Sequence, residues 1–267
     1  MKAPLLTVII PVHNVAAYID RSLQSIVNQT YRNTEIIIVD DASKDETGDL
    51  ADAWGQKDPR IKVYHLKQNM GISGARNHGL TQATGDYVTF ADGDDWCEPN
   101  LFEFYINRIQ KYNLDFVSCG YFVDPVGQTS GQSQPKDVLV DRKPLLKLVR
   151  KMKSPIRGYT WNKCYRRSLI VKHDLRFNED IGLMEDQVFN VAYILKAKRY
   201  LYNVLPLYHY VQRPGSSIHQ PSIGKGVDVT KAIWWIQTAI WASQWRTFKQ
   251  AKATKTRNNN ELSESNK

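Results

Sequence analysis

The chain has 267 residues, 42% hydrophobic and 24% charged, which suits one sizeable α/β domain with an appended tail. No run approaches the roughly 20 apolar residues of a membrane span, and the stretch from Leu5 to Val12, interrupted by Pro11, is too short and too β-rich for a secretory leader. Cys97, Cys119 and Cys164 stand isolated, so neither a zinc site nor a disulfide framework is indicated and a cytoplasmic location is expected.

The net charge of +9 is unevenly spread. Residues 1–100 hold 9 Lys and Arg against 14 Asp and Glu, while the remaining 167 hold 27 against 13. A nucleic-acid binder would not concentrate acid in its most ordered-looking half, so no nucleic-acid partner is expected. An acidic pocket beside a basic face, one that meets anionic lipid or an anionic acceptor, fits the asymmetry better.

Leu5 to Pro11 is a continuous, largely β-branched run of the kind that forms a strand covered on both faces. Asn14 is placed to cap a helix whose apolar positions Ile19, Leu23, Ile26 and Val27 share one face. Glu35 to Val39 reads as a second strand ending in Asp40 and Asp41, after which Ser43 or Asp45 caps a second helix. Ile61 to Leu66 is a third strand, Ile72 to Ala83 a third helix and Tyr87 to Ala91 a fourth strand. This alternation predicts an α/β fold with a doubly wound, mostly parallel sheet flanked by helices, and such sheets take ligands at the carboxyl ends of their strands. Pro11 to Asn14, Asp40-Asp41 and Asp92 to Asp95 all fall at such ends.

Asp92, Asp94 and Asp95 would repel one another without a positive partner. A hard divalent cation carrying a diphosphate supplies one; a solvated acidic turn capping the helix after Pro99 is the plainer alternative. A dinucleotide-binding reading fails on the glycines. None follows the first strand before Gly48, and Gly71, Gly74 and Gly79 do not match G-x-G-x-x-G; a Walker A loop is also missing.

Four segments in order, Thr7 to Asn14, Val39 to Asp45, Asn69 to Asn77 and Phe90 to Asp95, resemble the motifs of family 2 glycosyltransferases, inverting nucleotide-sugar-dependent enzymes of GT-A fold. The resemblance extends over about residues 3–218 and implies a catalytic domain at 1–220, with a nucleotide-sugar half at 1–98 and an acceptor half at 99–220. It also implies a UDP-sugar donor, a Mn or Mg cofactor, and a glycan or lipid-linked acceptor such as a cell-surface polysaccharide precursor. Pro11, His13, Asn14, Asp41, Asn69, Arg76, Asp92 and Gly93 would line the nucleotide-sugar site, Asp41 meeting the uracil imide and Arg76 the diphosphate or sugar. Asp94 and Asp92 would hold the metal, with His209 a further ligand and Arg213 near the diphosphate. His13 stands where an aromatic residue is more common, and Ala42 replaces the usual glycine, from which a turn without positive φ is expected.

Glu185 and Asp186 sit in the first turn of a helix, where the dipole favours their ionised forms. Ordinary helix capping would place them there too. The resemblance assigns Asp186 as the catalytic base and Glu185 as its supporting or metal-side neighbour. Trp161 and Lys163 lie in a segment resembling the acceptor side of bacterial polysaccharide-building members, where Trp161 would offer a stacking platform or else be a core residue. His209 would alternatively be an ordinary hydrogen-bonded strand histidine.

Residues 124–140 read as a mobile loop, and Arg142 to Arg176 holds twelve Lys and Arg. From 229 to 249 a helical pattern gathers Trp234, Trp241, Trp245 and Phe248 on one face beside Ile233, Ile236 and Ile240, within an amphipathic extension at 221–252. Such a face lies in a membrane interface, giving peripheral contact with the cytoplasmic membrane, or docks on the catalytic domain or a second subunit. Residues 253–267 are expected to be disordered. Two other functions remain open on the sequence: a nucleotidyltransferase, and a non-catalytic glycan- or membrane-binding module on a degenerate transferase fold.

Overall fold

Strands with no polar alternation need cover on both faces, and in the computed structural model they lie inside one ten-stranded sheet. The structure describes residues 3–130, 135–151, 154, 156–213 and 226–245. The strands are β1 (Leu6–Val12), β2 (Thr34–Asp40), β3 (Ile61–His65), β4 (Tyr87–Phe90), β5 (Trp96–Cys97), β6 (Phe116–Asp124), β7 (Gln128–Thr129), β8 (Val138–Val140), β9 (Lys163–Arg166) and β10 (Tyr200–Val211). The helices are α1 (Ala16–Val27), α2 (Thr47–Lys57), α3 (Gly71–Gln82), α4 (Leu101–Tyr112), α5 (Arg142–Arg150), α6 (Arg167–Lys172) and α7 (Glu185–Ile194), followed by α8 over 226–245.

The sheet order is β3-β2-β1-β4-β9-β6-β10-β5, with β7 on β6 and β8 on β10. β1 pairs in parallel with both β2 and β4, so the chain reverses its direction of travel across the sheet between β1 and β4. That is the switch point at which doubly wound sheets bind ligands. β9 runs antiparallel between β4 and β6. The doubly wound half therefore matches the expectation, and β9 adds a strand that enters the sheet from the opposite end.

Alternate residues supply two cores. Val8, Ile10, Ile36 and Ile38 pack on one side with Ile19, Leu23 and Ile26 of α1. Ile9, Ile37 and Val39 pack on the other with Leu80 of α3 and Phe189 of α7. Glu35 is also buried, and it is fully used. It accepts from the Thr7 hydroxyl, from the Thr84 backbone N–H and hydroxyl, and from Lys62 Nζ. Burial works to raise its pKa, but the hydrogen bonds from Lys62, Thr84 and Thr7 prevail and hold it down at about 2.

Three local expectations are corrected. Asn14 does not cap α1: it sits at φ 51° and accepts the Lys44 N–H, while Thr47 Oγ1 and Asp45 Oδ2 receive the N–H groups of Val15 and Ala16. A cap supplied from a neighbouring loop leaves no trace in local sequence. Ala42 does adopt positive φ, 55°, because the chain must turn sharply between Asp41 and Ser43 while Asp40 Oδ1 accepts the Ser43 N–H. The stretch 124–140 carries β7 and β8 rather than a plain loop; within it, 131–134 lie outside the described residues.

Helix α8 docks on the domain through Ala232 and Ile236, which are buried in the second core, with Trp235 and Ile240 packed beside them. Trp234, Trp241 and Trp245 point outward at 67%, 64% and 47% exposure. Phe248 and the tail at 253–267 lie outside the described residues.

Candidate active site

Because β1, β2, β4, β6 and β10 all run the same way, their carboxyl ends share one edge, and antiparallel β9 begins at that edge. Asn14, Asp41, Asp92, Thr160 and Arg213, far apart in sequence, are thus delivered to one side of the sheet.

Arg76 is at the centre. Its side chain is 1% exposed, projecting from α3 beneath the acidic residues. Nη2 lies 3.0 Å from Asp92 Oδ1, and Nη1 lies 3.1 Å from Glu185 Oε1 and 2.5 Å from Asp186 Oδ1. The guanidinium rests over the Phe177 ring, and Nε has no partner among the described residues. The expectation that Arg76 meets a diphosphate is therefore corrected: both terminal nitrogens are occupied by carboxylates, and the residue acts as their buried counter-charge.

Asp186 is further oriented by Thr160, whose N–H lies 3.2 Å from Oδ2 and whose hydroxyl lies 3.1 Å from Oδ1. Asn190 braces the same turn, donating to the carbonyls of Asp186, Gly158 and Tyr159. Glu185 has Arg76 as its hydrogen-bonding partner among the described residues. Burial, with Asp186 beside it, pushes Glu185 up to about 8 against the pull of Arg76. Burial likewise pushes Asp92 up to about 6, again opposed by Arg76.

The Asp92–Asp95 loop is anchored from β10. Tyr208 Oη accepts the Asp92 N–H and donates to Asp95 Oδ2, while Asp95 Oδ1 accepts the Val211 N–H. Burial carries Asp95 well above the usual carboxylate range, so it serves as a structural tie. Gly93 allows the loop to lie on β1, since a Cβ there would come 2.6 Å from Val12 Cγ1. Asp94 is half-buried and pairs with Arg213 Nε at 2.5 Å. No group of three or more metal-ligating side chains is assembled among the described residues. Asp92 and Asp94 nonetheless form an oxygen-only donor set that fits Mg or Mn, ions held by one or two carboxylates and otherwise by water and phosphate. His209 is not part of that set. It is stacked on Trp96 and Phe122, with Nδ1 3.1 Å from Asp124 and Nε2 3.0 Å from Glu98, so both ring nitrogens are occupied and the metal-ligand expectation is corrected.

At the ends of β1 and β2, His13 Nδ1 donates to the Asp41 carbonyl, and Nε2 accepts from the side-chain amides of Asn14 and Asn69. Asp41 Oδ1 accepts the Met70 N–H at 2.6 Å. Its Oδ2 has no protein donor among the described residues, which leaves an acceptor suited to a ring N–H. Asp40 is spent on the Ser43 N–H and on His65.

Of the two acceptor-side residues, Trp161 takes the core alternative and Lys163 does not face a ligand. Trp161 is 2% exposed, stacked on Tyr159 and Tyr208. Lys163 is 0% exposed, and its ammonium donates to the carbonyls of Arg157 and Tyr159 and to Asn162 Oδ1. Burial pulls that amine down to about 7. Both residues build the wall instead of facing a ligand. The half-buried rings of Tyr159 and Tyr210 lie in front of Trp161. The resemblance offered Trp161 as a stacking platform, whereas a tyrosine, apolar in body and polar at the tip, is the better candidate for a half-wet wall.

The profile of Glycosyl transferase family 2 matches residues 7–172. The chain is 36% identical over 221 residues to the putative glycosyltransferase EpsH of Bacillus subtilis, covering 79% of this chain and 61% of that protein. It thus spans under two thirds of that relative's length. The structure of S. aureus TarS 1–349 in complex with UDP-GlcNAc aligns with a TM-score of 0.75 at 25% identity, covering 88% of this chain and 66% of TarS 1–349. The mannosyltransferase PcManGT of Pyrobaculum calidifontis, in complex with GDP-Man and Mn2+, aligns with a TM-score of 0.58 at 19% identity over 90% of this chain and 74% of its own. The sheet is accordingly of GT-A type.

Proposed function

The chain belongs to glycosyl transferase family 2, and from that premise we propose that it transfers a sugar, with inversion, from a UDP-sugar to a hydroxyl of a cell-surface polysaccharide or lipid-linked precursor. The observation that carries this reading is the Arg76 cluster, in which one buried cation ties Asp92, on the donor side, to Glu185 and Asp186. The UDP-GlcNAc bound to TarS supports a uridine nucleotide donor.

Asp41 Oδ2 accepts the uracil imide proton, and the His13–Asn14–Asn69 network shapes the base pocket. Asp92 and Asp94 would hold Mg or Mn, which when bound neutralises the departing diphosphate. Arg213, paired to Asp94, adds positive charge at the same place. Asp186 takes the proton from the acceptor hydroxyl as its oxygen attacks the anomeric carbon and the bond to the UDP oxygen breaks. Thr160 and Arg76 fix that carboxylate in one orientation, so little is lost to reorganisation as the proton moves. Glu185, raised by burial and by Asp186 beside it, shares the Arg76 guanidinium with Asp186.

No helix among the described residues is long and apolar enough to cross a membrane. The outward tryptophans of α8 support peripheral contact with the inner face of the cytoplasmic membrane.

Calorimetric titration of UDP, with and without Mn, against wild type and Asp94→Asn tests the donor site. Metal-dependent binding that is lost in the variant is expected. Absence of UDP binding under both conditions would overturn the donor assignment.

A further inference from the structure

Residues 157–160 lie across the first turn of α7, the turn that carries Glu185 and Asp186. Gly158 is pressed so close that a Cβ would come 2.7 Å from Gln187 Cβ, and Thr160 holds Asp186 by two hydrogen bonds. The segment leads directly into β9, on the far side of β4 from the His13–Asp41–Asn69 pocket. It therefore borders the acid pair from the side opposite the proposed base pocket.

The side chains of this segment join an aromatic stack. Tyr208, bonded to Asp95, stacks on Trp161 at 4.5 Å and 14°; Trp161 stacks on Tyr159 at 4.5 Å and 19°; and the Arg157 guanidinium lies over the Tyr159 ring at 4.5 Å. Arg157 is half-buried, and among the described residues no carboxylate pairs with it. The contrast with its neighbours is clear: Arg76 has three carboxylates and Arg213 has one. A guanidinium whose flat face is held by a ring keeps its N–H edge free and pre-oriented, which suits bidentate contact with an oxyanion. Holding such a partly desolvated cation without a counter-ion has a cost that a bound anion would offset.

We infer that Arg157, fixed over Tyr159 beside the Asp186 turn, is a specificity-determining residue that takes an oxyanion, phosphate or carboxylate, carried by the acceptor saccharide. The inference rests on the transferase reading above and adds the charge class of the acceptor. The role inferred for Arg157 is a choice among acceptors, apart from the proton transfer proposed for Asp186.

The test uses wild type, Arg157→Gln and Arg157→Lys. Each is titrated by saturation-transfer NMR with glucose 6-phosphate, glucuronate and glucose, without added metal so that phosphate on a cation does not register. Each is separately titrated with UDP and Mn. At least a tenfold preference for one anionic sugar over glucose is expected in wild type, lost in Arg157→Gln and partly kept in Arg157→Lys, with UDP binding the same in all three. The anion preferred distinguishes phosphate-bearing from carboxylate-bearing acceptors. Equal binding of the three sugars, no binding of any, or a preference that survives in Arg157→Gln would overturn the inference. Failure of UDP to bind wild type would instead strike the donor assignment, so the two failures read separately.

Discussion

Arg76 and Asp186 are 110 positions apart in the chain and 2.5 Å apart in the fold, joined by a bond that makes the middle of α3 and the start of α7 a single electrostatic unit. Removing the cation would leave Asp92, Glu185 and Asp186 together in a poorly solvated space. Arg76→Met is therefore expected to destabilise the protein by about 3–5 kcal/mol and to lower transfer by more than about 100-fold. Urea unfolding and initial-rate assays would show this, with Arg76→Lys recovering more of the stability than of the rate because its single ammonium lacks the fork.

Thr160→Val removes the hydroxyl bond to Asp186 Oδ1 but leaves the backbone N–H on Oδ2. On the proposed mechanism, Asp186 stays in place but is less firmly aimed. We expect kcat to fall about tenfold with the donor KM unchanged, measured by steady-state kinetics at saturating acceptor.

Ala42 sits at φ 55°, where a Cβ crowds its own backbone. Ala42→Gly should raise stability by about 0.5–1 kcal/mol, the relief of strain exceeding the added entropy of the unfolded chain. A higher urea midpoint with an unchanged slope would confirm it; a lower midpoint would show that the turn carries no such strain.

Glu35 links stability to acid. Its folded pKa, about 2, lies below the ordinary value of 4.5, so the unfolded chain binds more protons between those limits. Stability from this group is complete above about pH 4.5 and is lost as pH falls toward 2, amounting to about 3 kcal/mol at neutral pH. Denaturant titrations from pH 7 to 3 should show wild type losing stability faster than Glu35→Gln, which starts lower and lacks that titration.

Helix α8 presents Trp234 and Trp241 to solvent while Ala232 and Ile236 hold it to the domain. Trp234→Ala with Trp241→Ala should reduce co-sedimentation with vesicles of anionic lipid at least fivefold and leave UDP binding unaltered. Unchanged sedimentation would remove the membrane reading.

What could be read from sequence follows how local each cause is. The apolar runs of β1 and β2 and the one-sided pattern of α1 announce themselves, and the acidic residues at strand ends mark the ligand edge. The burial of Arg76 was not legible, because nothing near position 76 reveals carboxylates more than a hundred residues downstream. The burial of Lys163, offered to an acceptor by resemblance, is illegible for a similar reason: the three acceptors that close around its ammonium are set by how the chain folds back before β9. His209 takes the alternative given beside the metal-ligand role, a hydrogen-bonded strand histidine, and its stacking on Trp96 and Phe122, which depends on the pairing of β10 with β5 and β6, has no local signature.

Antiparallel β9 spans four residues, yet it is laced to β4 on one side and β6 on the other, in the interior of the sheet. The region that holds the His13–Asp41–Asn69 cluster and the region that carries Arg157 and Thr160 are thereby sewn together by backbone, with no hinge between them in the sheet. On the acceptor role inferred for Arg157, changing the preferred acceptor calls for new side chains on the short run before β9, a few substitutions on a frame that need not itself be rebuilt.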